Sequence, residues 1–368
     1  MLRPKYVCAI ALVCSLACGL PRASAIEIQE AEPPPTEIEA MFVSQPAPAA
    51  PAFEATPASA GSSQRRSARS SYVRLSRAPN MFGDSLNPSG QIMVTNGGAN
   101  GSERSMVTDL PLGNGSTRKI TENNKALPMD RVYFVYNGFK NALTSSVIDN
   151  GAPGLVDMNV DRYTLGFEKT FWDGSASLEI RVPFVSGFQI DGPGLALESG
   201  NIGDLTMFTK QVLYADDEVL IAAGLGISLP TGSDVEGQIN GQNFAIDNQA
   251  VHLLPYIGFL TMPSDDVFVQ AFLELDFAAS GNDIRVGDPS TTVGTLTEQN
   301  VFLANLSIGR WIYQDPDAYY LQRIAAIGEL HYATTFQDAD VIDLQSTGLG
   351  GNVGNLANRV DFLNLSAG

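Results

Sequence analysis

The chain has two histidines, His252 and His331, and any acid–base or metal chemistry would have to begin with them. His331 is two residues from Glu329, and successive strand side chains alternate faces, so the two share one side of a strand. With a strand serine they could form the nucleophile, base and carboxylate of a hydrolase. A polar interior offers such pairs without catalysis, and no catalytic residue is assigned. A metal would need three or four converging ligands. The sequence has no HxxxH and no cysteine pair outside its first residues, so neither a metal nor another cofactor is expected. Asp149, Asp157 and Asp161, and then Asp338, Asp340 and Asp343, make acidic stretches without the Gly and terminal Glu of a calcium loop. Gly348-Leu349-Gly350-Gly351 lacks the Lys-Ser/Thr of a phosphate loop.

The remaining polar residues fall into a rhythm. From residue 131 the chain alternates apolar and polar side chains in stretches of about ten, which is the period of a half-wet strand. In 175–185, Ala176, Leu178, Ile180, Val182 and Phe184 take one face, and Ser177, Glu179 and Arg181 the other. Strands are expected near 131–139, 162–171, 175–185, 204–214, 219–229, 251–260, 267–277, 301–313, 319–336 and 359–368. Connections alternate between tight Asp-bearing turns and loops of roughly twenty residues rich in Gly, Asn, Asp or Ser. Soluble domains seldom keep structureless loops of that length. The pattern points to an all-β protein, an antiparallel transmembrane β-barrel of ten visible strands. Its water-facing set would be Thr164, Glu168, Ser177, Glu179, Arg181, Asp204, Lys210, Gln270, Glu274, Asp276, Asn305, Ser307, Arg323, Glu329 and His331. Phe171, Trp172, Tyr214, Trp311, Tyr313, Tyr319 and Tyr320 gather near the tight turns, where an interfacial aromatic girdle belongs.

Upstream, residues 1–25 read as a cleaved signal peptide, with Arg3 and Lys5, an apolar run from Val7 to Leu20, and Ala23-Ser24-Ala25. Cys18-Gly19 after Leu16-Ala17 is a poor fit to an acylation signal. All three cysteines (Cys8, Cys14, Cys18) lie in this leader, so no disulfide or thiol chemistry is expected afterwards. Residues 26–79 read as a disordered periplasmic linker, Pro/Ala-rich and then basic at Arg65, Arg66, Arg69, Arg74 and Arg77. Residues 80–130 read as an irregular Gly/Asn-rich segment able to plug the barrel, and 131–368 as the barrel. The net charge of −18 becomes −21 without Arg3, Lys5 and Arg22, which excludes a nucleic-acid footprint.

Two stretches resemble known barrels. Asn201-Ile202-Gly203-Asp204-Leu205 through Lys210, with Ala222-Ala223-Gly224-Leu225-Gly226-Ile227-Ser228-Leu229-Pro230-Thr231-Gly232, resembles the outer-membrane barrel family named for the meta-pathway of phenol degradation. Thr121-Glu122-Asn123-Asn124-Lys125 through Asp130-Arg131-Val132-Tyr133-Phe134 resembles the opening of related barrels common in planctomycetes. The resemblance covers about 121–368. It implies roughly twelve strands and a role in moving small, even hydrophobic, molecules, and it supplies no catalytic residues. Ten visible strands and a final Gly368 in place of a terminal aromatic suggest a fragment. The sequence-based expectation is therefore a non-enzymatic, porin-like barrel of a Gram-negative outer membrane. Its partners would be lipid, small solutes and barrel-assembly machinery, with oligomeric state unassigned. The alternative is a structural or surface-display barrel with a filled lumen and partner-binding loops, and the third is an outer-membrane hydrolase.

Overall fold

The computed structural model describes residues 73–83, 90–97, 103–110, 118–149, 152–186, 188–192, 194–288, 290–315, 317–355 and 358–368. The signal peptide, most of the linker and Arg65, Arg66 and Arg69 lie outside them.

Ten strands form one antiparallel ladder in chain order: β3 (Arg131–Asp149), β4 (Ala152–Phe171), β5 (Ala176–Val185), β8 (Leu205–Ala215), β9 (Val219–Leu229), β12 (His252–Thr261), β13 (Val267–Ala278), β16 (Val301–Gln314), β17 (Arg323–Thr335) and β20 (Asp361–Ala367). These are the ten strands that the alternation predicts. The sheet curls, and its two faces have opposite chemistry. On β13, Leu273 points outward and is 48% exposed, whereas Glu274 points inward and is 1% exposed. Leu165, Phe167, Ile257, Ile308 and Leu365 are likewise exposed on the outside, while Glu168, Glu179, Arg181 and Lys210 are buried inside. A protein folded in water buries the opposite set.

β3 and β4 continue past the ladder to 19 and 20 residues. A register shift between Phe139 and Leu143, with Asn141 at φ +52°, marks where their outer halves begin. On the outer half of β3 the sheet adds β2 (Glu103–Leu110), β1 (Gly90–Gly97), β19 (Gly351–Gly354) and β18 (Val341–Asp343), and so reaches fourteen strands. The irregular segment expected at 80–130 therefore contains a regular hairpin.

The connections expected as structureless loops are folded as well. β6 (Phe188–Gly192), β7 (Leu195–Ser199), β10 (Val235–Ile239), β11 (Gln242–Asp247), β14 (Asn282–Val286) and β15 (Thr291–Leu296) make a second, six-stranded sheet. Asn240 and Gly241 turn β10 into β11 with φ of +50° and +79°, the geometry that an Asn-Gly hairpin supplies. Strands this short are not stable alone. They persist because Leu197, Val235, Phe244, Ile246 and Ile284 share a buried core with Ile92, Val94, Met106, Leu143 and Val160 of the larger sheet. The loop end of the barrel thus carries a β-sandwich cap.

Among the described residues, no strand pairs with β20 on the side away from β17, nor with Arg131–Lys140 on the side away from β4.

Candidate functional site

Two N-terminal segments run through the interior of the ladder. The first, 73–83, starts at the short-turn end, where Arg74 Nε is 3.2 Å from Asp265 and Nη1 is 3.7 Å from Glu218. The second, 118–130, starts at the loop end beside His252 and Glu298. It finishes at the short-turn end, where Asp130 bonds Lys169 and Thr170. The two passes touch through Met81 N to Asn124 O at 2.8 Å. Their apolar side chains Leu75, Met81, Ile120, Ala126 and Leu127 pack on Phe208, Leu220, Leu254, Tyr256, Phe268 and Phe272 of the wall.

The polar side chains of the wall bind the backbone of these two segments. Lys210 Nζ donates to Lys125 O at 2.8 Å, Leu127 O at 3.4 Å, Asn124 Oδ1 at 2.9 Å and Glu168 Oε1 at 3.1 Å. Arg181 donates to the carbonyls of Lys119 and Ile120 at 2.7 and 3.1 Å and pairs with Glu179 at 3.1 Å. Glu274 accepts from Ile120 N, and Gln270 donates to Pro79 O. Glu329 accepts from Phe82 N and Gly83 N at 2.9 and 3.0 Å. Arg131 bridges Glu168 and Glu179 at 2.7 and 3.0 Å and also donates to Asn123 O. Buried backbone groups need partners, and here charged wall residues supply them.

Of the expected water-facing set, all but Arg323 are buried on the concave side; Arg323 is half-buried and lies 5.7 Å from the Trp311 ring. Phe171, Trp172, Tyr214, Tyr313, Tyr319 and Tyr320 are exposed at the short-turn end. Trp311 departs from that group: it turns inward onto Phe268, 5.8 Å away, because the inward parity of β16 holds until a register shift just after it.

His331 does not meet a serine. Its Nδ1 is 2.8 Å from Asn305 Oδ1 and its Nε2 is 3.1 Å from Glu329 Oε2, while Ser307, opposite Glu329 in register, has no hydrogen-bond partner for Oγ. His252 lies 2.5 Å from Asp276 and 3.6 Å from Glu298, and Arg118 is 2.9 Å from Glu298. Burial disfavours the Glu298 charge, but Arg118 and then His252 outweigh it and hold the carboxyl below its ordinary range. Among the described residues, no group of three or more His, Cys, Asp or Glu side chains is arranged to hold a metal ion.

At the loop-end rim, Asp204 accepts from Asn248 Nδ2 at 2.7 Å and from Gly232 N at 3.0 Å. Burial raises its carboxyl to about 6 even so, because the two donors recover only part of the lost hydration. A small cavity of about 20 Å³ remains between β3 and the plug, lined by Phe82, Tyr133, Asn137, Arg162 and Thr164.

Arg118, Glu122, Asn124, Lys125, Arg131, Arg162, His252 and Glu298 also belong to this interior network; of these, Arg162 shares the parity of Thr164 and Glu168 and is readable from the alternation of β4. Most precede β3 or sit in connections, where no period of two exists. The detectable signal is compositional: 118–131 carries Arg118, Lys119, Glu122, Lys125, Asp130 and Arg131 beside Ile120, Ala126 and Leu127, a mixture suited to a polar cavity.

No family model and no curated protein matches the chain. Among solved structures, CdiB from Escherichia coli aligns at 12% identity with a TM-score of 0.20, over 76% of this chain and 61% of that one, too distant a likeness to carry an argument. No helix among the described residues is long and apolar enough to cross a membrane, which leaves spanning by strands untouched.

Proposed function

We propose that the protein is an outer-membrane β-barrel closed at rest by its own N-terminal segments, displaying a folded β-sandwich at its outer mouth. The membrane assignment rests on the inverted faces, with exposed leucines and phenylalanines outside and buried charges inside. Lipid is the partner of the outer face, and assembly machinery inserts the barrel. The closed state rests on one observation: Lys210, Arg181, Glu274 and Glu329 are committed to the backbone of 73–83 and 118–129. A freely permeable pore would leave such groups to water and solute.

Passive passage of small solutes is the second reading. It is favoured by the polarity of those clamps, since hydrogen bonds and ion pairs exchange with water more readily than a dry apolar core. In that reading the plug moves before anything passes. Planar-bilayer recordings separate the two. The purified full chain should give a quiet membrane, with conductance steps only when the plug is loosened. Steady conductance from the unaltered protein would overturn the closed reading.

A further inference from the structure

The two interior segments are the limbs of one loop, with both feet at the same end of the ladder. Arg74 ties the first limb to Glu218 and Asp265 at the short-turn end, and Asp130 ties the second to Lys169 and Thr170 there. Between the limbs lies the β1–β2 hairpin, and it is built into the cap. Ile92, Val94, Met106 and Leu110 are at most 4% exposed and share the sandwich core with Phe244, Ile246 and Ile284. β1 pairs with β19 through Gln91–Val94, and β2 pairs with the outer half of β3 through Arg104–Thr108. Both neighbours continue from the wall, since β19 lies in the connection between β17 and β20. The tip of the loop is thus fastened at the loop end of the ladder.

That topology restricts how the plug can leave. The second limb is anchored in the cap at Leu110 and in the wall at Arg131, at opposite ends of the ladder. Breaking every clamp on 118–130 would still leave this stretch crossing the interior, because a sideways exit would strand its backbone groups in hydrocarbon. The residues between Leu110 and Arg131 reach about 65 Å when extended, well beyond the roughly 25 Å height of an apolar band. A loosened limb can shift aside within the interior, but it cannot depart. We propose that the β1–β2 hairpin is the pin of the plug: the interior clears only when the hairpin leaves the sandwich and the whole 73–130 loop withdraws toward the short-turn end. The cap then controls the barrel, while the wall clamps set only how loosely the limbs lie. This inference rests on the plugged-barrel reading and adds to it a release point and a direction.

The test records the full chain in planar bilayers, with Cys8, Cys14 and Cys18 replaced by serine and the clamps loosened by Lys210→Met. Met93→Cys and Asn352→Cys are added to staple the hairpin to β19. These positions are register partners on adjacent antiparallel strands, whose Cα separation of about 4.5–5.5 Å suits a disulfide. The oxidised protein should give small steps only. Reduction of the same sample should add large ones, and reoxidation should remove them, so the sample is its own control for folding. Large steps that persist in the oxidised protein, or fail to appear in the reduced one, would overturn the pin. Direction is read separately with Ser105→Cys in the Lys210→Met background. An impermeant maleimide should label it from the short-turn side in step with the large openings, and lack of such labelling would overturn the withdrawal. The parent without Lys210→Met keeps the two ideas apart. Steady conductance from it would sink the plugged reading itself, whereas a quiet parent with large steps in the stapled protein would sink the pin and spare the plug.

Discussion

Changing Lys210 to methionine is the sharpest probe of how the plug is held. Lys210 is 2% exposed, and its ammonium serves three acceptors on 124–127 together with Glu168. Methionine keeps most of the volume, so the cavity contribution is small. The loss is electrostatic. Glu168 retains Arg131, Ser177 and Met129 N, so it is not stranded. The carbonyls of Lys125 and Leu127 lose the donor described for them. Removing one partner of a buried charged cluster costs about 3–5 kcal/mol. Because most of these contacts join wall to plug, most of that cost falls on the docked state. Taking about 3 kcal/mol for docking, the docked-to-released ratio falls roughly a hundredfold. Planar-bilayer recording of Lys210→Met should therefore show frequent steps where the parent is quiet. The reasoning fails if Lys210→Met stays quiet while its urea midpoint drops by the full amount, for then Lys210 supports the wall alone.

Three further outcomes follow from the same geometry. Leu273→Arg, on the outer face, should cost about 2–4 kcal/mol in a bilayer, read as a lower refolding yield into vesicles, whereas the same change at a water-washed site would be nearly neutral. Phe244→Ala, in the sandwich core at 2% exposure, should cost about 3–5 kcal/mol and expose the cap to proteolysis while the ladder stays intact on a heat-shift gel. Asp204 has a folded-state value of about 6 against an ordinary 3.8. Its contribution is therefore fully present below about pH 4 and is lost as pH rises through 6, a change of up to about 3 kcal/mol. Asp204→Asn keeps an oxygen acceptor for Gly232 and Asn248, so urea titrations should show it flatter than the parent between pH 4 and 7 and more stable at pH 7.

The ladder was legible in the sequence because its information repeats every two residues. Leu178, Glu179, Ile180 and Arg181 state both the strand and the side that faces inward. The cap was harder to read. Its strands are five or six residues long, too short for alternation to stand out against Gly and Asn, although Asn240-Gly241 between Ile239 and Gln242 is a strong hairpin signal within a stretch read as loop. The plug was legible only as an option. Its contacts run from wall side chains to backbone carbonyls and amides, which every sequence possesses, so no residue type at 118–129 announces which groups will be clamped. Trp311 shows a related limit. Position near a turn suggests an interfacial aromatic, but Trp311 still has the inward parity of Asn305 and Ser307, and the register shift that turns the strand's end outward comes only after it.

The double pass of the N-terminal region through the ladder bears on biogenesis. Residues 73–130 leave the ribosome before any of the ten ladder strands, and Arg131 follows Asp130 with no spacer. An already closed cylinder would have to admit a folded-back strand of protein through its mouth. A sheet still curling can instead wrap around a mandrel that is waiting for it, adding one hairpin after another and satisfying each inward charge as it arrives. Shape would then be copied from the inside out, and the order of the gene would double as the order of construction.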